Sequence, residues 1–161
     1  MERNEAGTTS VTFDPAAWRK AHIAARAELT RQGMARKAAA GGTVGPAPLG
    51  YVNRREGENT WVEIDPVKGP LVQEAFGLAT TGKYSIREIA ATMDKKGLRS
   101  RRGKTVGYSA MRWMLTNSFY AGYTISQGQI IVGIHEPLIG VRPYRRVAKS
   151  IRTRRKVLRP E

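Results

Sequence analysis

Apolar side chains recur every three or four positions from residue 15 onward, where Trp18, Ala21, Ala25 and Leu29 trace one stripe, the spacing of a helix. Asp14 supplies an N-cap, Pro15 suits a first helical position that needs no N–H, and Phe13 is placed to staple onto Trp18. Gly33 weakens the pattern, and an alanine run carries it to Gly41-Gly42, so a long helix is predicted to about residue 40. Its stripe is too narrow to make a domain alone, and calls for a second surface in this chain or a partner. Residues 1–12 carry few large apolar groups and read as loose.

The stretch 41–50 holds four glycines and two prolines, which excludes helix and central strand. It reads as a linker or as a rigid turn inside one domain. Residues 51–53 and 60–64 are β-rich runs around a polar turn with Gly57, the pattern of a hairpin. Gly69-Pro70 opens a helix whose Val72, Ala75, Phe76 and Ala79 share a face, ending at Gly82. Ser85 and Glu88 form a capping box for the next helix, which buries Ile86, Ile89, Ala90 and Met93 and stops at Gly97. A short helix then starts at Gly107 or Ser109 and ends near Asn117. Met111, Met114 and Leu115 point one way on it, and Ser109, Arg112, Trp113 and Thr116 the other. Residues 119–125 and 130–134 flank a polar turn as a second hairpin, and a last helix from about Arg142 runs into the tail.

The fold class predicted is α+β: a small, mainly helical domain with a helix-turn-helix-like core and short β-hairpins, preceded by a long N-terminal helix and linker. The divisions are 1–40 for the tail and connecting helix, 41–50 for the linker, 51–150 for the domain and 151–161 for a basic tail. With 161 residues, 40% of them hydrophobic, the chain can build one core.

Charge narrows the partner. Lys and Arg number 28 against 13 Asp and Glu, a formal net charge of +15, so the surface attracts polyanions. Residues 142–161 alone hold nine cations and one acid and dominate the field; a tail serving only solubility is the alternative. No cysteine is present and the two histidines lie 113 positions apart, which leaves a zinc site without ligands. No cofactor is expected. No apolar run approaches the roughly 18 residues of a membrane span, and the protein is expected in the cytoplasm with the nucleoid.

The candidate site is the turn between the two best-formed helical patterns. Arg99, Arg101, Arg102 and Lys104 place four cations in six positions, with no acid between Lys95 and Arg112, and such a cluster repels itself unless an anion is near. These side chains would pair with phosphates, while Arg112 reaches a base edge and Ser109, Trp113 and Thr116 complete the contact face. Trp113 reads first as a packing residue that covers a neighbouring strand. Arg36 and Lys37, beside the linker, suit a minor groove or simply end a solvated helix. His135 has no partner at ligand spacing and reads as structural. The acids are dispersed and no serine has activating neighbours, so a binder is expected rather than an enzyme.

An ordered set of motifs adds a family. Gly45-Pro46-Ala47-Pro48-Leu49-Gly50-Tyr51, then Phe76, then Ser85-Ile86-Arg87-Glu88-Ile89-Ala90 with Gly97, then Met114-Leu115-Thr116-Asn117 with Tyr120 and Gly122, and finally His135-Glu136-Pro137-Leu138-Ile139 resemble the recombinase-type DNA-binding domain of large serine site-specific recombinases. The similarity covers about residues 34–150. It implies that the helix at 107–117 enters the major groove, that the stretch before Gly50-Tyr51 tracks the minor groove, and that residues 14–40 end a helix leaving a serine-bearing catalytic domain. Ser10 lies in Thr8-Thr9-Ser10-Val11, unlike the family's Tyr-x-Arg-x-Ser motif, and the family's cysteine-bearing zinc ribbon has no counterpart. Val106 stands where a tryptophan is usual, which leaves the local core underfilled, and Ser118 where proline is frequent.

The expected function is double-stranded DNA binding within serine-recombinase recombination or integration, by a truncated or split recombinase that does not itself cut. The expected partners are double-stranded DNA and either a recombinase catalytic domain or a second copy of the chain, with no membrane. The alternative is a stand-alone helix-turn-helix regulator, which would bind a palindrome as a dimer. A basic RNA-binding protein is a third reading, with Tyr120 and Tyr123 as its stacking residues.

Overall fold

The computed structural model describes residues 14–126 and 128–157, the side chains of 154–157 excepted. Phe13, and with it the predicted staple, lies outside the described residues, as does the end of the basic tail. The chain divides into two units, Met1–Met34 and Ala35–Glu161.

Helix α1, Pro15–Ala39, supplies the first unit and its last turn begins the second. Asp14 opens it as anticipated: its Oδ1 accepts from Ala16 N at 2.9 Å and its carbonyl from Trp18 N at 3.0 Å. No residue of α1 is buried, and the Trp18 ring stacks on His22 at 5.1 Å.

In the second unit, β1 (Tyr51–Glu56) pairs antiparallel with β2 (Asn59–Ile64), from Tyr51↔Ile64 to Glu56↔Asn59. Four helices follow: α2 (Lys68–Thr81), α3 (Ile86–Lys95), α4 (Tyr108–Thr116) and, after the second hairpin, α5 (Val141–Val157). The apolar stripes read from the sequence converge, since Val72, Ala75 and Phe76 of α2, Ile89, Ala90 and Met93 of α3, and Met111, Met114 and Leu115 of α4 are all buried. Val147 and Ile151 of α5 close the same core. The Ser85–Glu88 capping box is present in both directions, 3.2 Å and 2.7 Å. Helix α5 continues past residue 150.

The segment expected as a strand over 119–125 forms differently. Ser118–Ala121 winds into a 3-10 turn, started by Asn117 Oδ1 accepting from Phe119 N at 3.1 Å. Only Tyr123–Ser126 (β3) pairs with Gln129–Val132 (β4). The reason is burial: Phe119, Tyr120 and Ala121 are all inside, and a strand sends successive side chains to opposite faces.

Two tyrosines bind the irregular segments to this core. Tyr120 O–H donates to Leu49 O at 2.7 Å, which anchors the Gly/Pro stretch. Tyr51 O–H donates to Glu136 O at 2.8 Å and accepts from Leu138 N at 3.0 Å. Burial pushes the Tyr51 phenol up to about 12, although the Leu138 amide works against it. Residues 41–50 hold no helix or strand, yet Gly41 O accepts from Ile134 N at 3.1 Å and Gly50 is buried at φ +92°. A Cβ on Gly50 would meet Val72 Cγ2 at 2.9 Å, so only glycine fits.

His135 is a core residue, as expected. Its ring stacks on Phe119 with centroids 3.7 Å apart, and Nε2 donates to Phe119 O at 2.7 Å. That donation leaves Nδ1 bare, buried and without a partner. Burial holds the imidazole below its ordinary value, with the Phe119 hydrogen bond opposing.

Two outcomes follow from this packing. Tyr120→Phe leaves the Leu49 carbonyl without its donor and should cost about 1–3 kcal/mol in denaturant unfolding; an unchanged midpoint would contradict the anchoring role. Because the folded His135 binds its proton less readily than the unfolded chain, its contribution is whole above the unfolded value of about 6.5 and is lost as pH falls through the folded value. Stability should therefore decline from pH 7 to 5, and less steeply in His135→Gln; equal slopes would exclude His135 as the titrating group.

Candidate nucleic-acid interface

The turn between α3 and α4 is built, not loose. Leu98 N donates to Met93 O at 2.9 Å and Gly97 N to Asp94 O at 3.0 Å, the paired bonds of a Schellman cap. Gly97 has φ +86° and the Leu98 side chain is fully buried. Arg99 then bridges antiparallel to Thr105. Between them the chain folds back on itself, with Ser100 N donating to Lys104 O at 2.7 Å, Gly103 N to Ser100 O at 3.0 Å, and Lys104 N to Ser100 Oγ at 3.1 Å. Residues 96–107 thus make a small closed loop, longer than the three- or four-residue turn of a helix-turn-helix.

The four cations of this loop have different environments. Arg99 Nη1 donates to Asp94 Oδ1 at 2.5 Å, to Asp94 O at 3.0 Å and to Leu98 O at 3.1 Å. It faces the end of α3, tucked against a carboxylate, and acts as a tie for the loop rather than as an open cation. Arg101, Arg102 and Lys104 are exposed. Ion pairs among the described residues involve Glu28, Glu63, Glu74 and Asp94, so the tip of the loop carries its charge unneutralised.

Helix α4 presents the face read from the sequence. Ser109 and Ala110 are exposed, Arg112 and Thr116 half-buried. Trp113 is 59% exposed, which corrects its expected role as cover for a strand: α4 buries Met111, Met114 and Leu115 on the opposite side. The Thr116 hydroxyl is turned inward, donating to Arg112 O at 2.9 Å and Trp113 O at 3.2 Å. Its carbonyl accepts from Tyr144 O–H at 2.9 Å, which ties α4 to α5. Thr116 is therefore a structural member of the predicted set.

A half-open groove of about 580 Å³ lies beside α4, lined by Pro48, Leu49, Val52, Val106, Ala110 and Trp113 among others. Arg101 and Lys68 also line it. Val106 is buried at its edge. A second groove, about 240 Å³, is lined by Trp113 together with residues from 42–48 and β3. Arg101 and Trp113 are thus brought together, and the Gly/Pro stretch is set alongside them.

Arg36 and Lys37 sit on the last turn of α1. Arg36 is exposed. Lys37 Nζ donates to the Thr60 carbonyl at 2.9 Å and to the Thr60 hydroxyl, so it is engaged with β2. Two cations beside α4 were missed: Lys68 on the groove, and Arg87, whose guanidinium lies 5.8 Å over the Tyr108 ring. Arg87 carried no local signal because its aromatic partner is on another helix.

A family model described as Recombinase matches residues 66–154, more than half of the 161 residues. The chain belongs to the Recombinase family. The matched range contains the basic loop, α2 to α4 and α5 as far as residue 154, and excludes Arg36 and Lys37. Among solved structures, the crystal structure of an LSR–DNA complex, LSR being large serine recombinase, aligns with a TM-score of 0.61 at 23% identity over 79% of this chain. A structure from work on the sequence requirements of the Listeria innocua prophage attP site aligns with a TM-score of 0.60 at 23% identity over 76% of this chain. At this identity the likeness is one of fold. The Recombinase-family chain spans 38% and 50% of the length of those two proteins. Comparison with curated proteins gives no match.

The loop predicts a contrast between neighbours. The Arg99–Asp94 side chains are 38% and 40% exposed, so Arg99→Ala should lower stability by up to about 1 kcal/mol, whereas Arg101→Ala should stay within about 0.5 kcal/mol. Denaturant titration measures both; equal and large losses would show that Arg101 is also a structural tie.

Proposed function

We propose that residues 35–157 bind double-stranded DNA in recombination of the serine-recombinase type, with residues 51–150 as the binding domain and 41–50 held along its contact face. The observation that carries this reading is the unpaired cationic tip of the 99–105 loop beside the exposed face of α4. Arg101, Arg102 and Lys104 neutralise phosphates and set the register, and Arg99 positions them. Ser109, Arg112 and Trp113 meet base edges in the major groove, where Arg112 offers a bidentate donor for guanine. Arg36 approaches the backbone from the last turn of α1. Membership of the Recombinase family and the fold shared with an LSR–DNA complex support this assignment. Among the described residues no helix is long and apolar enough to cross a membrane.

Binding to duplex DNA should weaken by roughly 10³–10⁵-fold between 50 and 200 mM salt if about 6–10 phosphates are neutralised. Arg101→Ala/Arg102→Ala should weaken binding to all sequences alike, and Arg112→Ala should relax preference at one position by about 1–3 kcal/mol. Anisotropy titrations against selected and random duplexes measure each. A response that barely changes with salt, or an Arg112→Ala protein with the same selected site, would overturn the placement.

A further inference from the structure

Helix α5 carries a charged face that the loop and α4 do not use. Its sequence from Val141 to Val157 contains no acid. Tyr144 is half-buried, and Val147, Ala148 and Ile151 are buried. Arg142, Arg145, Arg146, Lys149 and Arg152 are all exposed, and at 100° per residue they fall within an arc of about 120° opposite the buried side. None takes part in an ion pair among the described residues. Cations at three- and four-residue spacing repel one another on a helix, and no ion pair among the described residues relieves them.

The face is also shaped. A shallow groove of about 370 Å³ runs along the helix, lined by Tyr144, Arg145, Ala148, Lys149, Arg152 and Thr153. From Arg142 to Arg152 the helix rises about 15 Å, which matches roughly four base-pair steps of a duplex at 3.4 Å each.

We propose that this face of α5 is a second contact with duplex DNA, one that follows phosphates and reads no bases. The proposal rests on the DNA-binding reading above. A protein partner fits less well, because interface cores are depleted in charge and enriched in aromatic and apolar side chains, and this face offers almost only guanidinium and ammonium groups. Phosphate contacts draw on those groups.

The test uses the full chain and a labelled random-sequence duplex, with anisotropy measured across a salt series. Arg145→Ala/Lys149→Ala/Arg152→Ala should lower the slope of log affinity against log salt by about 2.7, at about 0.9 for each phosphate no longer neutralised. Preference among selected duplexes should stay as in wild type, and the charge-keeping Arg145→Lys/Arg152→Lys protein should hold most of the slope. Circular dichroism checks that the helix persists, which alanine favours. A slope equal to wild type in the triple variant, while Arg101→Ala/Arg102→Ala lowers it, overturns this proposal and leaves the DNA-binding reading intact. Failure of the wild-type chain to bind duplex at any salt overturns both. Reduced affinity for a poly-glutamate peptide with duplex affinity retained would overturn it in favour of an acidic protein partner.

Discussion

Two phenol hydroxyls hold the groove side of this molecule in shape. Tyr120 O–H is bound to the Leu49 carbonyl, and Tyr51 O–H spans the Glu136 carbonyl and the Leu138 amide. Each joins a segment without regular structure to a ring packed in the core, where Tyr51, Phe76, Phe119, Tyr120 and His135 form a chain of ring contacts. A buried carbonyl must find a donor. Tyr51 N serves Pro48 O, Asp65 N serves Gly50 O, and the Tyr120 hydroxyl serves Leu49 O between them. So held, residues 47–50 line the groove beside α4.

The basic loop shows how a cationic surface is kept from collapsing on itself. Its base is closed by the Schellman bonds behind α3, by the Arg99–Thr105 bridge and by the Arg99–Asp94 pair. One of four cations is thereby turned inward as a strut, and the other three are held outward on a short, hydrogen-bonded tip. Charge on such a tip is expensive to leave bare, which is the physical argument for an anionic partner. The five exposed cations on α5 pose the same problem on a different element.

Local pattern was enough for much of the fold. The capping box at Ser85, the glycine stop at residue 97, the Asp14 cap and the buried stripes of α2, α3 and α4 all involve residues within a few positions of each other, so they could be read along the chain. The exposed polar side of α4 followed from the same periodicity, and the order of motifs already pointed to the family that the Recombinase match shows. The strand expected over 119–125 begins only at Tyr123, because an apolar run is compatible with either period and here three consecutive side chains at 119–121 turn inward. The interval without acids that begins at Lys95 stops one residue short of Asp94, which is the carboxylate that holds Arg99.

Which cations remain open, and which side chains line a common groove, depended on contacts between distant positions. Tyr120 and Leu49 are 71 residues apart, and Tyr51 and Glu136 are 85 apart. Lys37 finds Thr60 across 23. Periodicity records which side of an element is apolar, because that depends on neighbours a few residues away. It holds no record of what packs against that side, or of what stays uncovered on the other. Trp113 is the clearest case: its side of α4 could be read along the chain, but its size suggested cover by a strand, and in the assembled fold the ring is exposed.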